Sequence, residues 1–274
     1  MGVHNLSMRL LALPFLIVLA VLVVWPLGSV VRDSFLSGSA WSFDNYQSIL
    51  SDPYYRQSFI ISLALSVVTT AIGVLLGLLT AVSLRRRSGR LRRSAMAFAN
   101  IGANFAGVPL AMAIIFLFGM NGAFTLILKG LGLIGEFNVY SVTGLVIAYS
   151  YFQVALATLL ITPLLDSVGR DLEEAAMLMG CGPLRFWLRI GLPGVARQLI
   201  AVATLLFANA MGTYATTTAL TGTSVNVVTI RISELVSGDV FSDPNLANAI
   251  AMLLLAVLLV PIVGSQFAAR ERRS

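Results

Sequence analysis

The residues whose types and spacing could do chemistry fall in two places: one polar loop, and a sparse set of polar groups inside apolar runs. The loop reads DSVGRDLEEAAMLMGCGPLRFWLRIGLPGVARQ, from Asp166 to Gln198. Asp171 can cap a helix amino terminus, and Glu174 three residues on completes a pair of the capping-box kind. Leu172, Ala176 and Met179 then share one face at i, i+4 and i+7. Gly180 and Gly182 can supply the positive φ that ends a helix. Pro183 suits the first turn of a second short helix through Phe186, Trp187 and Ile190, which Gly191 and Pro193 stop. This punctuation predicts two short helices meeting at a sharp angle, with an apolar face outside any bilayer. Such a hairpin either lies on the membrane surface or docks on a partner.

The second set is Asn100 and Asn104 at i, i+4, then Tyr149, Tyr151 and Gln153, then Asn209, Thr213, Tyr214 and the Thr216-Thr217-Thr218 run. In a helix, Asn209 and Thr213 share a face that Thr216 continues at i+7. Polar groups in apolar runs either join helices by hydrogen bonds or line a path through them. Three on one face argue for a path, so the candidate pathway residues are Asn104, Tyr151, Gln153, Asn209, Thr213 and Tyr214. No catalytic constellation is found. His4 is the only histidine and Cys181 the only cysteine, which excludes an intrachain disulfide, histidine catalysis and a cysteine metal site. No H-E-x-x-H, Ser–His pair or G-x-x-x-x-G-K-[ST] phosphate loop occurs.

The elements that must position these groups are membrane spans. The 274 residues are 58% hydrophobic and 11% charged, with mean hydropathy +0.90, where a soluble domain carries roughly a quarter charged residues. The fold class is all-α, a polytopic membrane protein with six spans, at about Leu10–Val31, Phe59–Leu84, Ala95–Phe118, Val139–Leu165, Val195–Leu220 and Leu246–Phe267. Each reaches across a hydrocarbon core of roughly 30 Å. The apolar stretch Phe124–Ile134 is too short to cross and reads as an interfacial helix outside. The first span is too long for a signal-peptide core before Ser39-Ala40 and reads as an uncleaved anchor. Residues 1–58 form that anchor and the first outer loop, 59–268 a five-helix core, and 269–274 a tail.

Charge sets the orientation. Six arginines lie between Arg85 and Arg93, and with both termini inside, 14 of the 18 basic residues face the cytoplasm. That bias places the amino and carboxyl termini, and the loop after the fourth span, in the cytoplasm. A basic cluster between two spans is an anchor of this kind, so no nucleic-acid partner is expected. The lipid bilayer is.

The run Glu174-Ala175-Ala176, three residues, Gly180, nine residues, Ile190, one residue, Leu192-Pro193 resembles the EAA loop of binding-protein-dependent ABC importer permeases. The match covers about twenty residues by motif and spans two to six by topology. The resemblance implies that Glu174, Ala175, Ala176, Gly180, Ile190, Leu192 and Pro193 couple to a separate ATPase dimer, with the two short helices as coupling helices. It implies no cofactor in this chain, ATP and Mg²⁺ being held by that partner. It further implies a second permease subunit, with a heterodimer favoured, a periplasmic or lipid-anchored substrate-binding protein, and a multi-pass place in a bacterial inner membrane. The stretches Asn104–Ala111 and Asn121–Thr125 look like permeases for polyamines, ferric iron or aminophosphonates, with sugar and sulfate or molybdate permeases as the open alternatives. The alternative is a secondary transporter not powered by ATP, disfavoured because no ionisable group lies near the middle of any span.

Overall fold

The computed structural model describes residues 14, 17–38, 40–85, 87, 89–133, 135, 137–238 and 242–270, the last six by backbone alone. The expected start of the first span and the tail at 271–274 lie outside the described residues. Among the described residues twelve helices follow in order: α1 (Ile17–Ser34), α2 (Asp44–Ser51), α3 (Pro53–Arg85), α4 (Arg90–Asn104), α5 (Val108–Phe118), α6 (Ala123–Gly130), α7 (Val142–Asp166), α8 (Arg170–Leu178), α9 (Pro183–Met211), α10 (Ala215–Thr221), α11 (Val228–Ser237) and α12 (Pro244–Arg270). A two-residue hairpin pairs β1 (Leu36–Ser37) with β2 (Ala40–Trp41). Among the described residues six stretches are long and apolar enough to cross a membrane: α1, α3, Val108–Gly130, α7, α9 and Pro244–Gly264.

Two expected spans are corrected. The third, Ala95–Phe118, is two helices separated at Phe105–Gly107, and the crossing stretch is α5 with α6. Pro109 lies in the first turn of α5 and cannot donate to a preceding turn. Gly107 takes φ +73°, open to glycine at no steric cost. The fifth, Val195–Leu220, breaks at Gly212–Tyr214, so Thr216 is not the i+7 continuation of Asn209 and Thr213.

Packing divides the chain into two units. The first takes in the described residues up to Gln57 with Arg231–Val257. In it Asn45 Nδ2 donates to the carbonyls of Ser34 and Leu36, at 3.2 and 2.9 Å, and Phe35, Phe43 and Tyr46 cluster with centroids 5.2–6.4 Å apart. The Arg231 guanidinium lies 4.9 Å over the Tyr54 ring and also meets the Tyr54 hydroxyl and the Glu234 carboxylate.

The second unit comprises Ser58–Ile230 and the described residues from Leu258. Its axis is α7, half of whose span is buried. Gly73 and Gly77, one turn apart on α3, let that helix touch α7. A Cβ on Gly73 would come within 3.0 Å of Gln153 Cβ, and one on Gly77 within 2.5 Å of Ala157 Cβ, the small-xxx-small approach by which apolar helices gain contact in lipid. Gly102 brings α4 equally close to Ala155. Two cores follow along α7. One gathers Leu65, Leu110, Ile114, Tyr149, Phe152 and Leu220. The other gathers Ala81, Ile161, Leu165, Phe186, Trp187 and Leu206. At the amino end of α11, the Val228 N–H donates to Ser62 Oγ of α3 over 2.9 Å, satisfying a helix end with a side chain from elsewhere.

Candidate functional site

The hairpin between α7 and α9 is built by its own backbone. Helix α8 starts at Arg170 behind Gly169, whose place as cap is without a side-chain bond, so Asp171 is not the cap expected from sequence. Asp171 and Glu173 instead lie in the first turn, where carboxylates complement the helix dipole. At the other end Gly180 takes φ +76°. The Gly180 N–H donates to the Met177 carbonyl at 2.9 Å and the Cys181 N–H to the Ala176 carbonyl at 3.0 Å. That pair of bonds is the Schellman arrangement, which closes the last carbonyls of a helix without outside help. Gly182 has φ −65°, not the positive angle expected.

A second correction concerns the stop after Ile190. Gly191 and Pro193 do not end the helix from Pro183. The chain passes through a π-turn at Trp187–Gly191, where the Leu192 N–H bonds back to Trp187, and runs on as α9 to Met211. Pro193 has no N–H to give the usual bond, and a widened turn absorbs that loss. Gly191 is required there, because a Cβ would come within 2.5 Å of Trp187 Cε3.

The faces also differ from the simple stripe. Ala176 is 2% exposed and packs into the core with Phe186 and Trp187. Glu174, Ala175, Gly180, Ile190 and Pro193 are exposed, while Leu192 is partly covered. The hairpin's most exposed apolar side chains are Leu178 at 89%, which the sequence reading passed over, and Met179 at 80%, which it placed on the apolar face, with Leu184 and Leu188 beyond. Apolar side chains this bare, at the tip of a structured turn, mark an interaction surface. Leu178 lies off the i, i+4, i+7 stripe that Met179 ends, and that misfit was the available signal. Arg92 pairs with Asp166 at the base of the hairpin.

The intramembrane polar groups sort into distinct roles. Gln153 is fully buried, and its Nε2 donates to the Leu206 carbonyl of α9 at 2.8 Å, so it joins two helices rather than lining a path. Tyr149, which the sequence places beside it, reaches the α9–α10 break. There the Thr213 carbonyl accepts from Tyr149 OH, Thr217 Oγ1 and Thr229 Oγ1 at 3.1, 3.0 and 3.2 Å, and Tyr149 OH also meets Thr217 Oγ1. The other break is tied to this one by the Gly107 N–H, which donates to Thr216 Oγ1 over 2.8 Å. Asn209 and Tyr214 remain exposed beside the break, and Thr213 Oγ1 donates to the Asn209 carbonyl at 2.7 Å. Asn104 donates to the Asn100 carbonyl at 2.9 Å on the end of α4. Tyr151 stacks edge-on to Phe105 at 6.5 Å and borders an apolar groove of about 490 Å³ with Leu76, Phe98, Gly102 and Thr158. The six expected pathway residues therefore do not converge. Asn209, Thr213 and Tyr214 cluster, Asn104 and Tyr151 lie apart, and Gln153 is interior.

Comparison with known proteins adds three findings. The family of binding-protein-dependent transport system inner membrane components matches residues 73–273. Among characterised relatives, the trehalose transport system permease SugB of Mycobacterium tuberculosis is 25% identical over 236 residues, 86% of this chain and 81% of that one. The sn-glycerol-3-phosphate transport system permease UgpA of Yersinia enterocolitica is 27% identical over 282 residues, 96% and 94% of the two chains. The molybdenum transport system permease ModB of Mycobacterium tuberculosis is 24% identical over 219 residues, 80% and 81% of the two chains. Among solved structures, a chain of a bacterial ABC transporter that imports the acidic polysaccharide alginate superposes with TM-score 0.80 at 16% identity, over 98% of this chain and 96% of that one. A chain of the MetNI methionine transporter gives 0.62 at 18% identity, over 79% and 94%.

Proposed function

Since the chain belongs to the family of binding-protein-dependent transport system inner membrane components and is a multi-pass permease subunit of an ABC importer, not an enzyme, we propose that its α8–α9 hairpin receives the stroke of a separate ATPase. The observation that carries the docking reading is the bare pair Leu178 and Met179, set beside Glu174 on a turn closed by Gly180. A groove on an ATPase subunit covers those apolar side chains, and Glu174 pairs with a cation at its rim. Glu174, Ala175 and Gly180 lie at that surface, with Ala176 holding the hairpin from beneath. The basic asymmetry puts this hairpin and both termini in the cytoplasm. ATP and Mg²⁺ belong to the partner, and a second permease, most simply a different chain, completes the pathway that Asn209, Thr213 and Tyr214 begin.

The cargo follows from charge. The only carboxylates in the six candidate spans are Asp33 and Asp166, each within two residues of a span end. A polycation crossing between apolar helices needs anionic partners to offset its desolvation, and none is supplied. The resemblance at Asn104–Ala111 and Asn121–Thr125 to polyamine or iron permeases is accordingly set aside, while the oxyanionic aminophosphonates are untouched by this charge criterion. A small hydroxylated or oxyanionic solute, delivered by a binding protein, fits a path of hydroxyls and amides.

The test is to purify the chain by an affinity tag and measure the ATPase that comes with it. Native chain retains the ATPase, and Leu178→Glu with Met179→Glu loses it while the permease stays folded. Full retention in the double variant would overturn the docking assignment. Uptake of labelled trehalose and glycerol phosphate, each against spermidine, separates the cargo classes.

A further inference from the structure

Arg85 opens the basic run that reads as a membrane-surface anchor, yet it does not face headgroups. Its residue is 4% exposed. One guanidinium nitrogen donates to the Leu165 carbonyl and the other to the Val168 carbonyl at 2.7 Å, both at the carboxyl end of α7. The second nitrogen also lies 3.3 Å from the Glu173 carboxylate on α8, itself 14% exposed. The guanidinium carbon sits 5.0 Å over the Trp187 ring in the π-turn of α9. In return, Arg170 of α8 donates to the Arg85 carbonyl at 3.3 Å. A single planar cation thus holds the ends of α3 and α7, the first turn of α8 and the start of α9. Only arginine presents a rigid fork of donors together with a flat face that stacks on an aromatic ring.

We propose that Arg85 is a positioning residue for energy coupling: it fixes the α8–α9 hairpin to the ends of α3 and α7, so that movement of the hairpin moves those helices with it. The proposal rests on the reading of the hairpin as the ATPase contact. The four partners explain the geometry. The Leu165 carbonyl in the last turn of α7 and the Val168 carbonyl just past it accept from the cation, Glu173 neutralises it, and Trp187 covers it from water. Glu173 stands next to Glu174 in sequence but points inward, so the two acids divide the work, one holding the hairpin and its neighbour facing the partner.

The experiment uses the complete transporter in lipid nanodiscs, with its binding protein as purified from cells as the probe. It measures the ratio of ATP hydrolysis with the binding protein to hydrolysis without it. That ratio reports a signal that must cross the membrane through the permease. Arg85→Gln is expected to lower the stimulation by about tenfold, on the scale of one charge-assisted hydrogen bond. Basal hydrolysis and ATPase co-purification should change far less. Arg85→Lys, with the charge but not the fork, should restore part of the stimulation. Glu173→Gln should give a smaller loss alone and little further loss on top of Arg85→Gln, because both act through one network. Full stimulation in Arg85→Gln overturns the proposal, and so does a loss matched step for step by lost co-purification. Should Arg85→Gln not assemble, Glu173→Gln decides: normal stimulation there overturns it, and reduced stimulation with intact assembly supports it. The outcome for the underlying reading is separate, since a native chain that brings down no ATPase defeats the hairpin assignment before any variant is made.

Discussion

The hairpin at 166–193 and the paired helix breaks at 105–107 and 212–214 are both places where helical structure is interrupted, and they treat their loose ends in opposite ways. The hairpin's turn closes its backbone by itself, through Gly180 and the two bonds to Ala176 and Met177, and leaves Leu178 and Met179 bare. The breaks leave backbone groups that only other segments satisfy, namely Thr216 for the Gly107 N–H and three hydroxyls for the Thr213 carbonyl. The difference follows from solvent. Where packing shuts out water an unpaired N–H or C=O has no solvent to turn to, so irregular backbone there must be met by side chains. Outside the bilayer, water satisfies the backbone and the unmet group is apolar surface, which needs a partner instead. Interior breaks consume polar side chains, whereas the exterior turn displays apolar ones.

Substitutions at four places break or sharpen this contrast by their effects on stability and on association. The largest effect is expected from Leu178→Glu with Met179→Glu, which should weaken ATPase binding by about a hundredfold or more, as for paired interface anchors. The permease's melting temperature in detergent should barely move, and a large drop would erase the distinction. Thr216→Val keeps the side-chain shape but leaves the Gly107 N–H without its acceptor, costing about 1–3 kcal/mol. Thermal unfolding in detergent would show it, with ATPase co-purification retained. Gly180→Ala meets no neighbour at the new Cβ, so its cost is backbone strain alone, about 1 kcal/mol. Replacement by Asn, which tolerates positive φ, should recover most of that in the same melt. Smallest is Tyr149→Phe, expected to cost about 1 kcal/mol or less, because two other hydroxyls still serve the Thr213 carbonyl. A penalty as large as that of Thr216→Val would mean that Tyr149 alone satisfies the break.

Much of this was legible in sequence for physical reasons. Long apolar runs state their lengths directly, so α7 emerged within three residues of its ends and α3 within one of its carboxyl end, its polar first turns from Pro53 being passed over. Gly180 was legible because a positive φ at a helix end selects glycine. The breaks were harder to read. Gly107 with Pro109 carried a signal that the apolar run around them masked, and at 212–214 only Gly212 hints at an interruption. Gln153 and Asn209 look alike as polar letters in apolar runs, and only packing separates one sealed between α7 and α9 from one left exposed. Arg85 was hidden by its company, since five further arginines follow by Arg93 and nothing local marks the first as buried. Its partners at Leu165, Val168, Glu173 and Trp187 lie some 80 or more residues away.

The π-turn at Trp187–Gly191 has a mechanical meaning. Had Gly191 and Pro193 ended the helix, the hairpin would hang from the bilayer segment on a swivel. The extra residue in that turn carries the chain past Pro193 unbroken, so 29 residues from Pro183 to Met211 form one strut of about 43 Å at 1.5 Å per residue. A strut delivers displacement along its whole length and yields only where it ends. It ends at Gly212, one residue before Thr213.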